Sequence, residues 1–309
     1  MIPDGIQKKP RRRLFVALPA LLTWWGLAGW WSLLAAGAPS WTRAIPFPVA
    51  LLAALAWWPM AGRTARRGPR ACMCIAVILL AAGFGRDAGM KREIAPITGS
   101  TFRVTQWTLG EEIHPEELNR TLERELPHVI VLNRPVIRVE GQQVSSALLR
   151  IQHGLRRNDI VMLSRFPLHP LTPPSLDGTE ALFARVETPD GSAWILALDG
   201  GEAGVSPEAA RQLADFVAAQ PAGRPLLVTG GQGRNRTDAQ WRALREHLRP
   251  AHEIAGFGWP YSWPRALPLF SLDHIWVNDE WTVHRSAYRR APFANHVRQT
   301  VVLTRLPAP

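Results

Sequence analysis

Two segments carry most of the information about this chain: Leu226–Arg236, which reads LLVTGGQGRNR, and Phe270–Val277, which reads FSLDHIWV. The first segment is an apolar, strand-like run that ends in a glycine-rich turn, where α/β folds often place their active sites. The second segment holds Asp273 and His274 inside an apolar strand, where charge is normally disfavoured. We therefore expect a present or former functional site where these two segments lie.

Charge is distributed unevenly along the chain. Residues 1–90 contain 11 Lys/Arg and two acids (11 − 2 = +9), whereas residues 91–309 contain 25 Lys/Arg and 23 acids (25 − 23 = +2). The basic excess therefore lies beside the apolar N-terminal segments. A near-neutral globular part argues against nucleic acid as a partner, because phosphate backbones are bound by basic surfaces.

Three uncharged apolar segments predict a membrane anchor within residues 1–90, followed by a globular domain over 91–309. The segments are residues 14–37, 46–61 and 71–85. The first is long enough to span a bilayer, which requires about 20 apolar residues in a helix. The other two are shorter, so a buried or re-entrant segment remains an alternative for each of them.

The loops between these segments predict the orientation of the anchor. Five basic residues precede residue 14 and four arginines lie in residues 62–70, whereas the loop between the first two segments holds only Arg43. Because positive loops stay in the cytoplasm, three spans would place residues 91–309 outside it. If residues 71–85 do not cross, the domain is cytoplasmic instead. The use of 33 Arg against three Lys is typical of a GC-rich bacterial source, so we expect a multi-pass protein of a bacterial inner membrane with a periplasmic domain.

From Thr101 onward, apolar runs typical of strands alternate with a few amphipathic helical segments. The predicted strands are TFRVTQWTL from Thr101, PHVIVLN from Pro127, NDIVMLS from Asn158, a hairpin turning at Pro189–Ser192, RPLLVTGG from Arg224, SLDHIWV from Ser271 and VRQTVVLTRL from Val297. The predicted helices are 114–126, 206–220 with Ser206 as its cap, and 238–248 with Thr237 as its cap. This order predicts an α/β fold with two sheets packed together and helices outside them.

Six of these segments resemble, in chain order, the endonuclease/exonuclease/phosphatase superfamily, which includes DNase I-like nucleases and sphingomyelinases. The matching segments are TFRVTQWTLG, ELPHVIVLNRP, IVMLSRFPL, ARQLADFVAAQPAGRPLLVTGGQG, WPYSWPRALPLFSLDHIWV and ANHVRQTVVL. The resemblance covers about residues 100–306. It implies a four-layer α/β sandwich, here preceded by transmembrane helices, and it implies Mg²⁺-dependent hydrolysis of phosphoric esters.

The family's catalytic positions, carried over one by one, are mostly substituted in this chain. The first-strand Asn falls on Thr108, the metal-binding Glu on Arg134, the mid-domain His on Asp199 or Gly200, the Asp and Asn of "GDFN" on Gly231 and Gly233, and the Asp of "SDH" on Asn295. A magnesium site needs carboxylate ligands, and a guanidinium at the Glu position would repel the ion. We therefore expect no metal ligands and no cofactor, with Asp273 and His296 left as a remnant pair.

The sequence thus predicts a pseudoenzyme that binds or scaffolds at the cell envelope, with the membrane and a phosphate-bearing ligand or an envelope protein as partners. Asp273 and His296 either contact phosphate or form a structural hydrogen bond, and the second reading is favoured. The GGQG turn could hold an anion through its backbone N–H groups. A cluster of Arg134, Arg234 and Arg236 could do the same, although solvated loop arginines are the favoured interpretation. One alternative is an active phosphodiesterase or phosphatase that uses Mg²⁺ or Mn²⁺ with a site rebuilt on Asp199, Asp273 and His296. Another is a nuclease acting outside the cytoplasm.

Overall fold

The structure is a computed structural model that describes Ile78 and residues 96–306, with gaps at 98, 111, 114–117, 119, 121–125, 138–151, 267, 269 and 292–293. Residues Ala88–Pro309 form one compact unit. The apolar segments 14–37, 46–61 and 71–85 lie outside the described residues, apart from Ile78. Among the residues that are described, no helix has the length and apolar character needed to cross a membrane.

The described part of the chain is mostly strand. The elements, in chain order, are β1 (Phe102–Thr108), β2 (Glu112–Ile113), β3 (Val129–Asn133), β4 (Val136–Ile137), β5 (His153–Arg157), β6 (Ile160–Ser164), β7 (Leu168–Leu171), β8 (Glu180–Thr188), β9 (Gly191–Asp199), α1 (Pro207–Ala218), β10 (Leu226–Gly231), β11 (Arg249–Pro250), α2 (Ala251–Ala255), β12 (Asp273–Val277), β13 (Trp281–Arg289) and β14 (Arg298–Arg305). They build two six-stranded sheets, in the orders β13-β14-β1-β3-β6-β5 and β11-β12-β10-β9-β8-β7, while β2 and β4 pair separately.

Both large sheets are mixed, and each has a parallel pair at its centre. In the first sheet β1 pairs parallel with β3 and antiparallel with β14. In the second sheet β10 pairs parallel with β9 and antiparallel with β12. The carboxyl ends of two neighbouring strands therefore meet at one edge of each sheet, and the amino end of β12 joins them in the second.

The two sheets pack face to face because alternate side chains of each strand are apolar and point inward. The core between them includes Val104 and Val131 from the first sheet with Ile195, Leu227 and Ile275 from the second. The outer face of the second sheet is covered by α1. The outer face of the first sheet packs its tryptophan and leucine side chains against a segment that carries Leu118. The predicted pair of packed sheets is confirmed.

Local signals placed one helix correctly and another wrongly. Ser206 caps α1 by accepting a hydrogen bond from the Ala209 N–H at 3.0 Å, as predicted. The helix predicted over 238–248 is wrong, since two 3₁₀ turns, Ala239–Trp241 and Leu244–Glu246, replace it, and Asp238 rather than Thr237 stands at the first N-cap. Each turn buries one apolar side chain, Trp241 in the first and Leu244 in the second, and both belong to the core on the outer face of the second sheet.

Six strands were not predicted from the sequence, and three of them, β2, β4 and β11, are only two residues long. β5 and β13 are edge strands with mixed polar and apolar residues. β7 lies within the proline-rich stretch 167–174, which the sequence predicts as a loop, and Pro170 is tolerated there because β7 is also at a sheet edge. Of the helix predicted over 114–126, Leu118 and Arg120 are described and helical, whereas Leu126 is described and is not helical, with a φ of 45°.

Candidate functional site

Five inward-facing residues meet at the edge where the central strands end. They continue the inward positions of the core strands and are Thr108 of β1, Asn133 of β3, Asp199 of β9, Gly231 of β10 and Asp273 of β12. Thr108 lies opposite Asn133 in the first sheet, and Gly231 lies between Asp199 and Asp273 in the second. Strand periodicity therefore brings together positions that are far apart in the sequence.

A side-chain hydrogen bond holds the two sheets together at this edge. The Asn133 amide Nδ2 donates to the carbonyl oxygen of Leu198, which lies in the other sheet, at 2.7 Å. Asn133 is fully buried. The hydrogen bond fixes the spacing between the sheets directly beneath the cleft.

Asp273 is the most heavily bonded residue of the site. Its Oδ2 lies 2.6 Å from the Nδ1 of His296, and its Oδ1 accepts hydrogen bonds from Thr108 at 2.5 Å and from Gln106 at 3.2 Å. Its backbone N–H donates to the Ser262 hydroxyl oxygen at 3.2 Å. The carboxylate has no exposed surface, whereas the His296 side chain keeps 17%. The two residues expected to pair are therefore in contact, with only the imidazole open to the cleft.

The pKa values of this pair move apart. Burial by itself raises the pKa of Asp273, but the charge and hydrogen bond of His296, together with bonds from Ser262 and Thr108, lower it to about 2. Burial likewise lowers the pKa of His296, but the neighbouring Asp273 carboxylate outweighs it and raises that pKa above its usual value. The pair is accordingly an imidazolium and a carboxylate at mildly acidic pH.

Arg134 and Asp199 form the second ion pair of the site. The guanidinium binds both carboxylate oxygens, with Nη2 at 3.1 Å from Oδ1 and Nε at 3.3 Å from Oδ2. The Gly201 N–H donates to the same Oδ1 at 2.8 Å. Arg134 has a positive φ of 50°, which non-glycine residues adopt only at a cost. A cation thus occupies the position onto which the resemblance carries the metal-binding Glu. It is held by Asp199, which is one of the two positions, with Gly200, onto which the resemblance carries the His.

The position of the water-activating Asp, Gly231, has no space for a side chain. A Cβ at this position would lie 2.9 Å from the Thr108 Oγ1 and 3.6 Å from the Asn133 Cβ. Thr108 is held in place by its short hydrogen bond to Asp273. The Thr108 hydroxyl therefore takes the space that a side chain at position 231 would need, and glycine at 231 leaves that space open.

The remaining carried-over positions act through their backbone. Gly233 has a φ of +64°, and a Cβ there would lie 2.6 Å from the Gly204 Cα, so the position needs glycine for close chain contact. Asn295 is exposed, its N–H donates to the Leu109 oxygen, and its own oxygen accepts from the Arg265 N–H. Neither residue places a side-chain ligand beside Asp273 in the described contacts.

The glycine-rich turn does not offer the anion site that its sequence suggests. The N–H groups of Gln232 and Gly233 both donate to the Leu272 carbonyl oxygen, at 3.1 and 3.2 Å. A nest for an anion requires such donors to point at the ligand. In this turn they are used to tie β10 to the segment before β12.

The three arginines considered as a cluster at the site have separate partners. Arg234 Nε donates to the Val205 carbonyl oxygen at 3.3 Å. Arg236 is 2% exposed, with its Nε 3.4 Å from Glu253 Oε1 and its Nη1 bonded to the Pro260 oxygen. Arg134 is the arginine whose charge acts on His296, so it is the one that belongs to the cleft.

The donor set at this edge does not fit a divalent metal ion. Within the described residues there is no group of three His, Cys, Asp or Glu side chains placed to hold one. Mg²⁺ requires oxygen ligands with surplus negative charge. Here Asp273 is neutralised by His296 and Asp199 by Arg134, so no carboxylate remains for an ion.

Sequence reasoning did not find two features of the site. Gln106 and Ser262 complete the hydrogen bonding of Asp273, and the Arg134–Asp199 ion pair was not foreseen. Strand alternation from Val104 would have placed Gln106 inward. The opposite charges at positions 134 and 199, both unusual for the family, were the available signal for the ion pair.

Several solved structures of endonuclease/exonuclease/phosphatase proteins have a similar architecture. An endonuclease/exonuclease/phosphatase from Beutenbergia cavernae is similar with a TM-score of 0.51 and 16% identity, over 68% of this chain and 73% of that one. One from Bacteroides vulgatus is similar with a TM-score of 0.51 and 12% identity, over 67% and 100%. A mannosyl-6-phosphatase from Bacteroides thetaiotaomicron is similar with a TM-score of 0.51 and 10% identity, over 66% and 99%.

The chain therefore has the endonuclease/exonuclease/phosphatase fold, as the resemblance of its sequence predicts. No protein-family model matches the sequence. No curated protein matches it either.

Proposed function

We propose that this chain is a membrane-anchored endonuclease/exonuclease/phosphatase-like protein that does not hydrolyse phosphoric esters and acts by binding at the cell envelope. The observation that carries the proposal is the Arg134–Asp199 ion pair at the former metal corner. Metal-assisted hydrolysis needs an ion to polarise the phosphoryl group and an acid to activate water. The first role is opposed by a bound guanidinium, and the second position is Gly231.

The ligand class that fits the remaining groups is a phosphate-bearing anion. His296 is partly exposed and its pKa is raised, so it presents an imidazolium to the cleft at mildly acidic pH. Arg134 is 31% exposed beside it. Charged donors form the stronger hydrogen bonds to phosphate oxygens. Binding without turnover would use both groups and would need no ion.

The anchor part of the proposal rests on the apolar segments 14–37, 46–61 and 71–85 and on the arginines between them. With three spans in a bacterial inner membrane, the proposed location of the folded domain is the periplasm. Protease added to intact spheroplasts should then degrade residues 91–309. If the domain is degraded by the protease only after the membrane is permeabilised, the domain is cytoplasmic.

Catalysis is tested by aryl phosphodiester turnover of the full chain in detergent with excess Mg²⁺ or Mn²⁺. The expected rate equals that of the His296→Ala variant and of buffer. In the same preparation, inorganic phosphate and a phosphomonoester are titrated by calorimetry. Binding should be lost in Arg134→Ala and kept in Arg156→Ala, which removes an exposed arginine of β5. Turnover that needs both the metal and His296 would overturn the proposal.

A second candidate is an enzyme with a site rebuilt on Asp199, Asp273 and His296. The observation in its favour is the 2.6 Å contact that orients the His296 imidazole as an acid–base group would be oriented. Against it, Asp199 is bound to Arg134, and the described residues contain no group of three His, Cys, Asp or Glu side chains that could hold a metal ion. The turnover assay separates the two candidates. A nuclease acting outside the cytoplasm is disfavoured by the near-neutral charge of residues 91–309.

A further inference from the structure

A groove of about 610 Å³ lies on the outer face of the first sheet, away from the candidate site. Outward-facing residues of β13, β14 and β1 form its floor, and the chain after α2 forms one wall. We call it the outer groove, and its polar floor includes Arg103, Arg285, Arg289 and Thr300. Two large apolar side chains on its rim face solvent, with Phe257 70% exposed and Ile97 60% exposed.

The charge of the outer groove differs from that of the rest of the domain. Three arginines line it, and none of its described lining residues is acidic. Residues 91–309 as a whole carry only 25 − 23 = +2. Basic side chains flanked by exposed apolar ones are the combination that binds the interface of an anionic bilayer, where the headgroups take the charge and the acyl boundary takes the rings.

The position of the groove along the chain points to the same partner. Ile97, Thr101 and Arg103 line the groove and are among the first described residues of the domain. The apolar segment 71–85 ends 12 residues before Ile97 (97 − 85). A fully extended chain covers about 3.5 Å per residue, so the tether reaches at most about 40 Å. In sequence, the groove is therefore the described part of the domain nearest to the predicted anchor.

We propose that the outer groove docks on the anionic phospholipid surface of the membrane, with Phe257 and Ile97 entering the interface and Arg285 and Arg289 contacting lipid phosphates. This inference rests on the membrane anchoring proposed above. Docking would hold the domain in one orientation. Each arginine near an anionic surface raises the equilibrium constant for docking about fivefold.

The test places an environment-sensitive fluorophore at the rim of the groove. The full chain carries Cys72→Ser, Cys74→Ser and Phe257→Cys and is labelled at position 257. It is placed in nanodiscs of zwitterionic lipid, or in nanodiscs with roughly 30–40% anionic lipid, where the surface potential is appreciable. In anionic discs the emission should shift to the blue and brominated lipid should quench it. A label introduced by Glu202→Cys, at an exposed turn, should respond to neither lipid.

Charge reversal distinguishes the groove from general attraction. Arg285→Glu with Arg289→Glu should weaken the quenching at 257. The equilibrium constant for docking that the quenching reports should fall at least tenfold, in line with about fivefold for each arginine removed. Arg156→Glu with Arg157→Glu changes the net charge equally on β5 and should leave it unchanged. Thermal unfolding of each variant confirms that it is folded.

The outcomes separate this inference from the anchor. An inserted chain whose 257 label stays in water in anionic discs would refute docking and keep the anchor. If the chain stays soluble without detergent and co-floats with anionic vesicles only when Arg285 and Arg289 are present, the predicted membrane spans are refuted and the docking on lipid is retained. A blue shift produced equally by a short oligonucleotide without lipid would make the partner nucleic acid and overturn the inference.

Discussion

Replacing Arg134 by Ala is expected to lower the free energy of unfolding by about 2 kcal/mol. Removing one partner of a buried ion pair costs roughly 3–5 kcal/mol, because a charge is left without compensation. Asp199 is 4% exposed, but Arg134 is 31% exposed, so water can enter the space that the guanidinium leaves. The Gly201 N–H also remains on the carboxylate. These two effects bring the expected loss to the lower figure.

The assay is urea and thermal unfolding of the full chain in detergent, followed by the strand band of circular dichroism. For a domain of this size, 1 kcal/mol corresponds to about 2–4 °C in Tm, so Arg134→Ala should melt about 4–8 °C lower. Arg156→Ala, on exposed β5, is the matched control and should change stability by less than about 0.5 kcal/mol.

A double-mutant cycle isolates the ion pair itself. Asp199→Ala leaves a guanidinium that can turn to water, so it should cost only about 1 kcal/mol. The double variant should then be more stable than the sum of the two losses predicts, by about 1 kcal/mol. Losses that add within about 0.3 kcal/mol would show that Arg134 and Asp199 do not interact, and the reasoning about the former metal corner would fail with them.

Three further outcomes follow from the same region. The Asp273–His296 pair should contribute its full stabilisation between about pH 4 and 6.5. The contribution is lost as pH rises through the raised pKa of His296 and as pH falls through the pKa of Asp273 of about 2. His296→Gln should therefore flatten the dependence of unfolding free energy on pH at both ends. His274, whose pKa burial lowers to about 4, has the opposite sign: its buried neutral form destabilises the fold as pH falls from about 6.5 to 4, and His274→Gln should remove that loss in acid unfolding. Gly231→Ala should cost about 1–3 kcal/mol through its clash with Thr108, and Thr108→Ala in the same chain should recover part of it in Tm; equal Tm values for the single and double variants would contradict the clash.

The strands were predictable wherever one face is continuously apolar. The runs ending at Thr108, Asn133 and Gly231 have this pattern, and each ends within a residue or two of its predicted boundary. The edge strands β5, β7 and β13 lack it, because an edge strand has less of its surface buried. The 3₁₀ turns after Asp238 depend on how Trp241 fits beneath the second sheet, which is a tertiary effect that local propensity does not contain.

The contact between Asp273 and His296 was predictable, but the ion pair between Arg134 and Asp199 was not. Order along the chain identified Asp273 and His296 and the substituted positions around them. The partner of Arg134 depends on two strands from different sheets ending at the same edge, and no local signal carries that distance. The hypothesis of an arginine cluster failed for the same reason, because the direction of Arg236 is set by Glu253.

The Arg134–Asp199 contact also constrains how such a chain can change over generations. A change at one of the two positions alone leaves a charge in the cleft without its partner, at the cost worked out above. Arg134 and Asp199 should therefore be inherited as a unit, so that relatives with an acid at position 134 have lost the acid at position 199. A change at one of the two positions should therefore be tolerated better when the other position changes with it.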